Sequence, residues 1–192
     1  MAIVNIRNLS IEINERSVLQ DINIKFNTKE RILILGESGS GKSTLLLSLM
    51  GIIQRFNNSD VNGDILIDGI SVMDMELSDA ARIFGIVFQN PESQFCSLYP
   101  KDEVAFGLEN QCIDSDMMPS IIKNAMEAFD FPKLKEDQLI NTLSGGEQQR
   151  LALSSIAAID SQMLLLDEPT ANLDPKGRRQ VVKSAKKMVK NG

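Results

Sequence analysis

The stretch Gly36-Glu37-Ser38-Gly39-Ser40-Gly41-Lys42-Ser43-Thr44 decides how the rest of the chain is read. It fills every fixed position of the phosphate-loop pattern G-x-x-x-x-G-K-[ST]. Arg31 to Leu35 just before it carries a short continuous apolar run, and Thr44 to Met50 after it has helical composition, so the expected order is strand, loop, helix. Glycines let backbone amides turn inward on a chain of phosphates, and the following helix presents its positive end to them. Lys42 would reach the β and γ phosphates, and the Ser43 hydroxyl would complete the coordination of Mg2+. An ordinary glycine-rich turn could account for some of these residues, but not for the complete pattern in this context.

Upstream, apolar and polar residues alternate from Ala2 to Phe26, as in Val4 and Ile6 and then Ile22, Ile24 and Phe26. That pattern predicts two half-buried antiparallel strands, with Thr28 and Lys29 in a turn. Downstream, Asp64 to Asp68 and Ile83 to Phe88 read as further strands, bounded by glycine or by Asn90 and Pro91. The spacing then turns helical, with helices expected over Asp102 to Glu109, Pro119 to Phe129 and Gly146 to Ile159. Met163 to Leu166 is again fully apolar, as in a strand buried on both faces, and Pro175 opens a last helix toward Val189. Strands alternating with helices imply a parallel α/β core. One domain is expected over residues 1–192. Residues 1–90 and 160–192 would form its core and a β-subdomain, and residues 91–159 an inserted helical subdomain.

Composition narrows the chemistry. The 192 residues, 43% hydrophobic and 24% charged, suffice for one domain with a sizeable core. A net charge of -6 would repel nucleic acid and acidic lipid headgroups, so no nucleic-acid partner is expected. No apolar run is long enough to cross a bilayer, and a soluble, cytoplasmic chain is expected. Cys96 and Cys112 do not have metal or disulfide-framework spacing and read as free thiols. Histidine is absent, so catalysis must rest on carboxylates, lysine, hydroxyls, amides and backbone.

Two further segments suit phosphate chemistry. Asp167 and Glu168 end the buried run Met163 to Leu166, where an α/β sheet opens its ligand crevice. Asp167 would hold Mg2+ through water, and Glu168 would polarise the water attacking the γ phosphate. An acidic pair at a strand end is by itself more often a solvated turn, and the phosphate loop upstream reverses that preference. Leu143-Ser144-Gly145-Gly146-Glu147-Gln148 precedes a predicted helix, so Ser144 and the amides of Gly145 and Gly146 could hold an anion. The same residues read alone are a helix cap.

Together these motifs resemble the ATPase subunits of ABC transporters, over essentially the whole chain. In the order of that family stand the phosphate loop, Gln89 after a strand, Leu143 to Arg150 as an LSGGQ-like signature, Leu164 to Glu168, and Ala171-Asn172-Leu173-Asp174 as a D-loop. The resemblance implies a RecA-like P-loop NTPase core that binds ATP and Mg2+. It implies a head-to-tail dimer, with each ATP held between one subunit's phosphate loop and the Ser144 to Glu147 segment of the other. Gln89 would contact Mg2+ or the attacking water and relay the nucleotide state, though a strand-end amide can also simply cap a turn. Asp174 would link the two sites. The helical subdomain would dock on transmembrane subunits, placing the chain at the inner face of the cell membrane. Gln89 to Phe95 and Glu103 to Asn110 resemble, more narrowly, the ATPases of energy-coupling factor importers, which take up vitamins or nickel and cobalt ions.

The sequence departs from the family in two places. Where an aromatic residue would stack on adenine it has Ile11-Glu12-Ile13, forgoing about 0.5–1.5 kcal/mol of stacking. After the D-loop helix the family has a further strand and a switch histidine. The sequence at Gly192 is therefore expected to be that of a fragment, its phosphate-loop strand left with an open edge and its ATP turnover slow. The alternative is a soluble ABC ATPase acting on chromosomes or ribosomes. It would share every motif, but the acidic balance and the lack of a long coiled-coil insert disfavour it.

Overall fold

Alternating side chains build the first sheet. Strand β1 (Ile3–Ile13) buries Val4 and Ile6, then changes phase and buries Leu9 and Ile11. A strict period of two cannot do this, so the strand slips by one residue at a bulge. Register shifts lie there, between Ile6 and Leu9 against one neighbour and between Arg7 and Ser10 against the other, and the first pairing shifts again between Leu9 and Ile11 and between Ile11 and Glu12. Asn8 takes a left-handed φ of 46° at the slip. Gly63 (φ 89°) lies across from it, where a Cβ would run into the carbonyl oxygens of Arg7 and Asn8, so only glycine fits opposite the bulge.

The computed structural model describes residues 3–27, 30–56, 58–170 and 173–190. It divides into two compact units, Met1–Phe84 and Gly85–Gly192. In the first, β1 pairs antiparallel with β2 (Arg16–Asn27) and with β3 (Ser59–Ile67), and β3 pairs with β4 (Ile70–Ser71), giving the order β2-β1-β3-β4. Asn14 and Glu15, both with positive φ, close the β1–β2 hairpin with the handedness that suits strand twist. The turn expected at Thr28 and Lys29 lies outside the described residues. Helix α1 (Lys42–Leu49) buries Leu45, Leu46 and Leu49, and a short α2 (Leu77–Ile83) completes the unit.

Residues 31–35, expected as the strand before the phosphate loop, form no strand among the described residues. Leu33 and Leu35 are 80% and 81% exposed. An apolar run becomes a central strand only when neighbours pair along its edges and cover its faces. No described strand pairs with this run.

The second unit is organised around α5 (Gly145–Ile159), whose Leu151, Ala152 and Leu153 are fully buried. Helices α3 (Pro100–Asn110) and α4 (Met118–Ala128) pack on it, joining Val104, Leu108 and Met126 to Leu151 in one core. On its other side Ala152 and Leu153 join Val87, Phe129, Leu173 and Val181. Val87 belongs to β5 (Phe84–Val87), which neighbours β6 (Met163–Leu166) in a two-stranded sheet. Val181 belongs to α6 (Pro175–Lys190). The three helices expected from the spacing in this unit and the one expected to open at Pro175 are all present, with ends shifted by at most two residues. Among the described residues no helix is long and apolar enough to cross a membrane.

Candidate nucleotide site

The phosphate-loop residues lie in the first unit. Gly36 to Ser40 are exposed, and the loop tightens through a hydrogen bond from the Ser40 amide to the Glu37 carbonyl (3.2 Å). Gly39 and Gly41 are left-handed, with φ of 81° and 87°. Gly41 caps α1, and there a Cβ would approach Leu19 Cδ2 to 2.8 Å and the Val18 carbonyl oxygen to 3.0 Å. Lys42, the first residue of the helix, folds its ammonium back over the loop and donates to the carbonyls of Gly36 (3.1 Å) and Glu37 (2.8 Å). Ser43 is exposed and Thr44 half-buried on the same first turn. The loop is therefore a glycine-lined cradle with a cation at its edge, which suits a polyphosphate.

The conformation of Gly41 leads to a prediction. Gly41→Ala should lower the unfolding free energy by about 1–2 kcal/mol for the left-handed backbone alone. The contact with Val18 and Leu19 adds to this, because the carbonyl cannot swing aside as a side chain could. Denaturant unfolding of both forms measures the effect, and an unchanged midpoint would disprove it.

The acidic pair lies in the second unit, where the β6 ladder ends. The Asp167 amide donates to the Val87 carbonyl (3.0 Å), and its carboxylate is buried. Glu168 is exposed and left-handed (φ 46°), uncommon for a residue with a long side chain. Its Oε2 accepts a hydrogen bond from Gln89 Nε2 at 3.0 Å, so residues 79 positions apart meet. Two contacts not foreseen from the sequence shape the segment after Gln89. Gln94 Oε1 accepts from the Phe88 amide (3.1 Å), and the buried Glu103 carboxylate accepts from the amides of Cys96 and Ser97 (both 2.9 Å). Within the second unit Asp167 and Gln89 carry oxygen donors, the ligand type that Mg2+ prefers, and within the first unit Ser43 carries another.

The LSGGQ-like segment forms the start of α5. Ser144 is the N-cap, and a reciprocal capping box ties its side chain to the Glu147 backbone and its own amide to Glu147 Oε2 (2.8 Å). Ser144 and Gly145 are exposed, and nothing lies within 4 Å of where a Cβ on Gly145 would stand. Lys135 meets both oxygens of the buried Glu147 carboxylate, at 2.8 and 2.9 Å. Burial works against the charged form of Glu147. The hydrogen bonds from Lys135 and from the Ser144 backbone and hydroxyl outweigh it and hold the carboxyl below the usual carboxylate range. A carboxyl lowered by folding contributes stability that is present at neutral pH and lost as pH falls through the lowered value.

In the D-loop segment Ala171 and Asn172 lie outside the described residues. Leu173 is buried, and Asp174 Oδ1 accepts from the Gly177 amide (2.7 Å) at the start of α6. In the stretch that stands in place of an adenine-stacking aromatic, Ile11 is fully buried in the sheet core and Ile13 half-buried. Cys96 and Cys112 are free thiols.

A family model described as "ABC transporter" matches residues 19–171. The chain belongs to the ABC transporter family. Among its relatives is the energy-coupling factor transporter ATP-binding protein EcfA1 of Streptococcus sanguinis, 35% identical over 97% of this chain and 66% of that protein. The EcfA1 of Latilactobacillus sakei is 38% identical over 95% of this chain and 64% of that protein. This ABC family chain spans 31% to 66% of the length of eight curated relatives that it matches. Its fold matches that of cbiO1 from Clostridium perfringens, part of the ABC transporter complex cbiONQ, with a TM-score of 0.81 and 29% identity over 98% of this chain and 74% of that one. It also matches the ATP-binding cassette MJ0796, solved as a dimer in a post-hydrolysis state with ADP and Pi (TM-score 0.84, 24% identity, 98% and 83% covered). The α/β fold with an antiparallel N-terminal sheet is thus that of the ABC ATPases.

Proposed function

We propose that this chain binds and hydrolyses ATP to power a membrane importer of the energy-coupling factor kind, with a vitamin, cobalt or nickel as cargo. The observation that carries the reading is the complete phosphate loop with the Lys42 ammonium folded over it. The EcfA1 relatives and the cbiO1 neighbour support the importer class.

In this reading Gly36, Glu37, Ser38, Gly39, Ser40 and Gly41 wrap the phosphates with their amides. Lys42 holds the β and γ oxygens, and Ser43 and Thr44 stand at the positive end of α1. Ser43, Asp167 and Gln89 would hold Mg2+, which neutralises developing phosphate charge when bound. Glu168 takes the proton of the attacking water, and Gln89, hydrogen-bonded to it, orients that water. Ser144, Gly145, Gly146 and Glu147 complete the site of a second subunit across a head-to-tail dimer, and Asp174 couples the two sites. Residues 91–159 act as the helical part that meets transmembrane subunits, with the protein peripheral at the inner membrane face.

The test is phosphate release from Mg-ATP by the full-length protein, alone and assembled with membrane subunits. Turnover that rises in the assembled complex is expected. Absence of turnover in both states, or co-purification with ribosomes or DNA in place of membrane proteins, would overturn the reading.

A further inference from the structure

The ion pair between Lys135 and Glu147 had no signal in the sequence, because Lys135 lies 12 positions upstream in a 3-10 turn (Lys133–Lys135) outside every motif. It nevertheless sits beneath the first turn of α5. Glu147 spends one oxygen on both the Ser144 amide and Lys135 and the other on Lys135 alone, and the carboxylate is buried. Its full negative charge therefore stands within the turn that exposes Ser144 and Gly145.

That charge matters for any anion brought there. A carboxylate in the first turn already answers the positive end of a helix, so an arriving phosphate meets like charge where it should meet attraction. Little solvent reaches the buried carboxylate to screen it, and the cost of leaving it unpaired is correspondingly high. The neighbouring charges point to Lys135 as the compensating cation. Glu136 and Asp137, which follow it, are engaged by Lys101 at 3.2 and 3.1 Å, and these two carboxylates raise the Lys101 pKa above its ordinary value. Lys135 is directed instead to both oxygens of Glu147.

We propose that Lys135 is a positioning residue of the nucleotide site: by neutralising Glu147 within its capping box it lets Ser144, Gly145 and Gly146 receive an anionic phosphate group. This rests on the reading of that segment as a phosphate contact between subunits. In this role Lys135 acts through Glu147, to which its ammonium is directed, rather than on the nucleotide itself. A lysine that only stapled the 3-10 turn to α5 would share the geometry but not the dependence on charge.

ATP turnover of the full-length, assembled protein separates these roles. Lys135→Met and the hydrogen-bonding but uncharged Lys135→Gln should each raise KM for ATP about tenfold with kcat changed less than about threefold, and Lys135→Arg should stay close to the parent. Adding Glu147→Gln to Lys135→Met removes the charge that needed compensation, while the amide oxygen can still accept from Ser144. That double variant should recover most of the lost affinity. An unchanged KM in Lys135→Gln, or a double variant no better than Lys135→Met, overturns the proposal. Ser144→Arg run alongside tests the underlying reading. If it leaves turnover intact, the phosphate contact itself is wrong, whereas if it abolishes turnover and the Lys135 variants do not respond, only the role of Lys135 is wrong.

Discussion

Lys42→Ala should reduce ATP turnover of the full-length protein by about 100- to 1,000-fold, the usual effect of deleting one preorganised group that meets developing charge. Two losses combine. The cation that would face the β and γ phosphates disappears, and so does the clip that joins the start of the loop to the start of α1. That clip is concrete here: the ammonium donates to the Gly36 and Glu37 carbonyls across five and six residues of exposed chain. Without it, ordering the loop around a nucleotide costs conformational entropy that the lysine has already removed, so nucleotide binding should weaken together with turnover. Lys42→Arg keeps the charge but replaces a compact ammonium with a wide planar fork, and it should recover only part of the activity. Phosphate release and nucleotide titration decide the matter, with a melting curve to verify the fold. Lys42 is only half-buried and its described bonds are to exposed loop carbonyls, so the melting temperature should move little. Turnover equal to the parent's would remove the physical basis of the proposed function.

The parts of this site that could be read from the sequence are those whose chemistry is local. The phosphate loop needs glycines at fixed spacing beside a lysine, and both left-handed glycines occur within the pattern itself. The start of α5 was equally legible, because Ser144 and Glu147 stand three residues apart and cap each other. The run Met163 to Leu166 became β6 as its apolar continuity predicted, but it is not buried on both faces as expected: only Leu165 is buried and the other three are half-buried. The similar run at residues 31–35 did not form a strand, since identical local content specifies a strand only where partners exist. The bulge in β1 leaves no mark in the sequence pattern because alternation resumes after the slip and only the phase changes. Helix α2, seven residues long, is shorter than the window in which helical periodicity can be recognised. Lys135, Glu103 and Gln94 act through contacts made by folding, and no spacing announces them.

Glu168→Gln should leave nucleotide binding near that of the parent and lower turnover by about 100- to 10,000-fold, the range for loss of a positioned general base. The geometry makes this substitution a clean probe of proton acceptance. Glu168 Oε2 receives the Gln89 amide at 3.0 Å, and the glutamine amide oxygen can accept the same bond, so the link between the two strand ends is retained. The left-handed backbone at φ 46° is no harder for glutamine than for glutamate, since the two share their carbon skeleton. What is lost is the charge and the capacity to take a proton from water. Asp167→Asn makes the opposite comparison. Its carboxylate is buried and its role is proposed to be in holding Mg2+, so binding of Mg-ATP and turnover should fall together. The two variants must therefore differ in nucleotide titration while both lose phosphate release. If Glu168→Gln turns over ATP at the parent rate, the proton acceptor lies elsewhere. If instead it loses nucleotide binding as severely as Asp167→Asn, Glu168 acts in holding the nucleotide rather than in the chemical step, and the division of roles between these adjacent carboxylates fails.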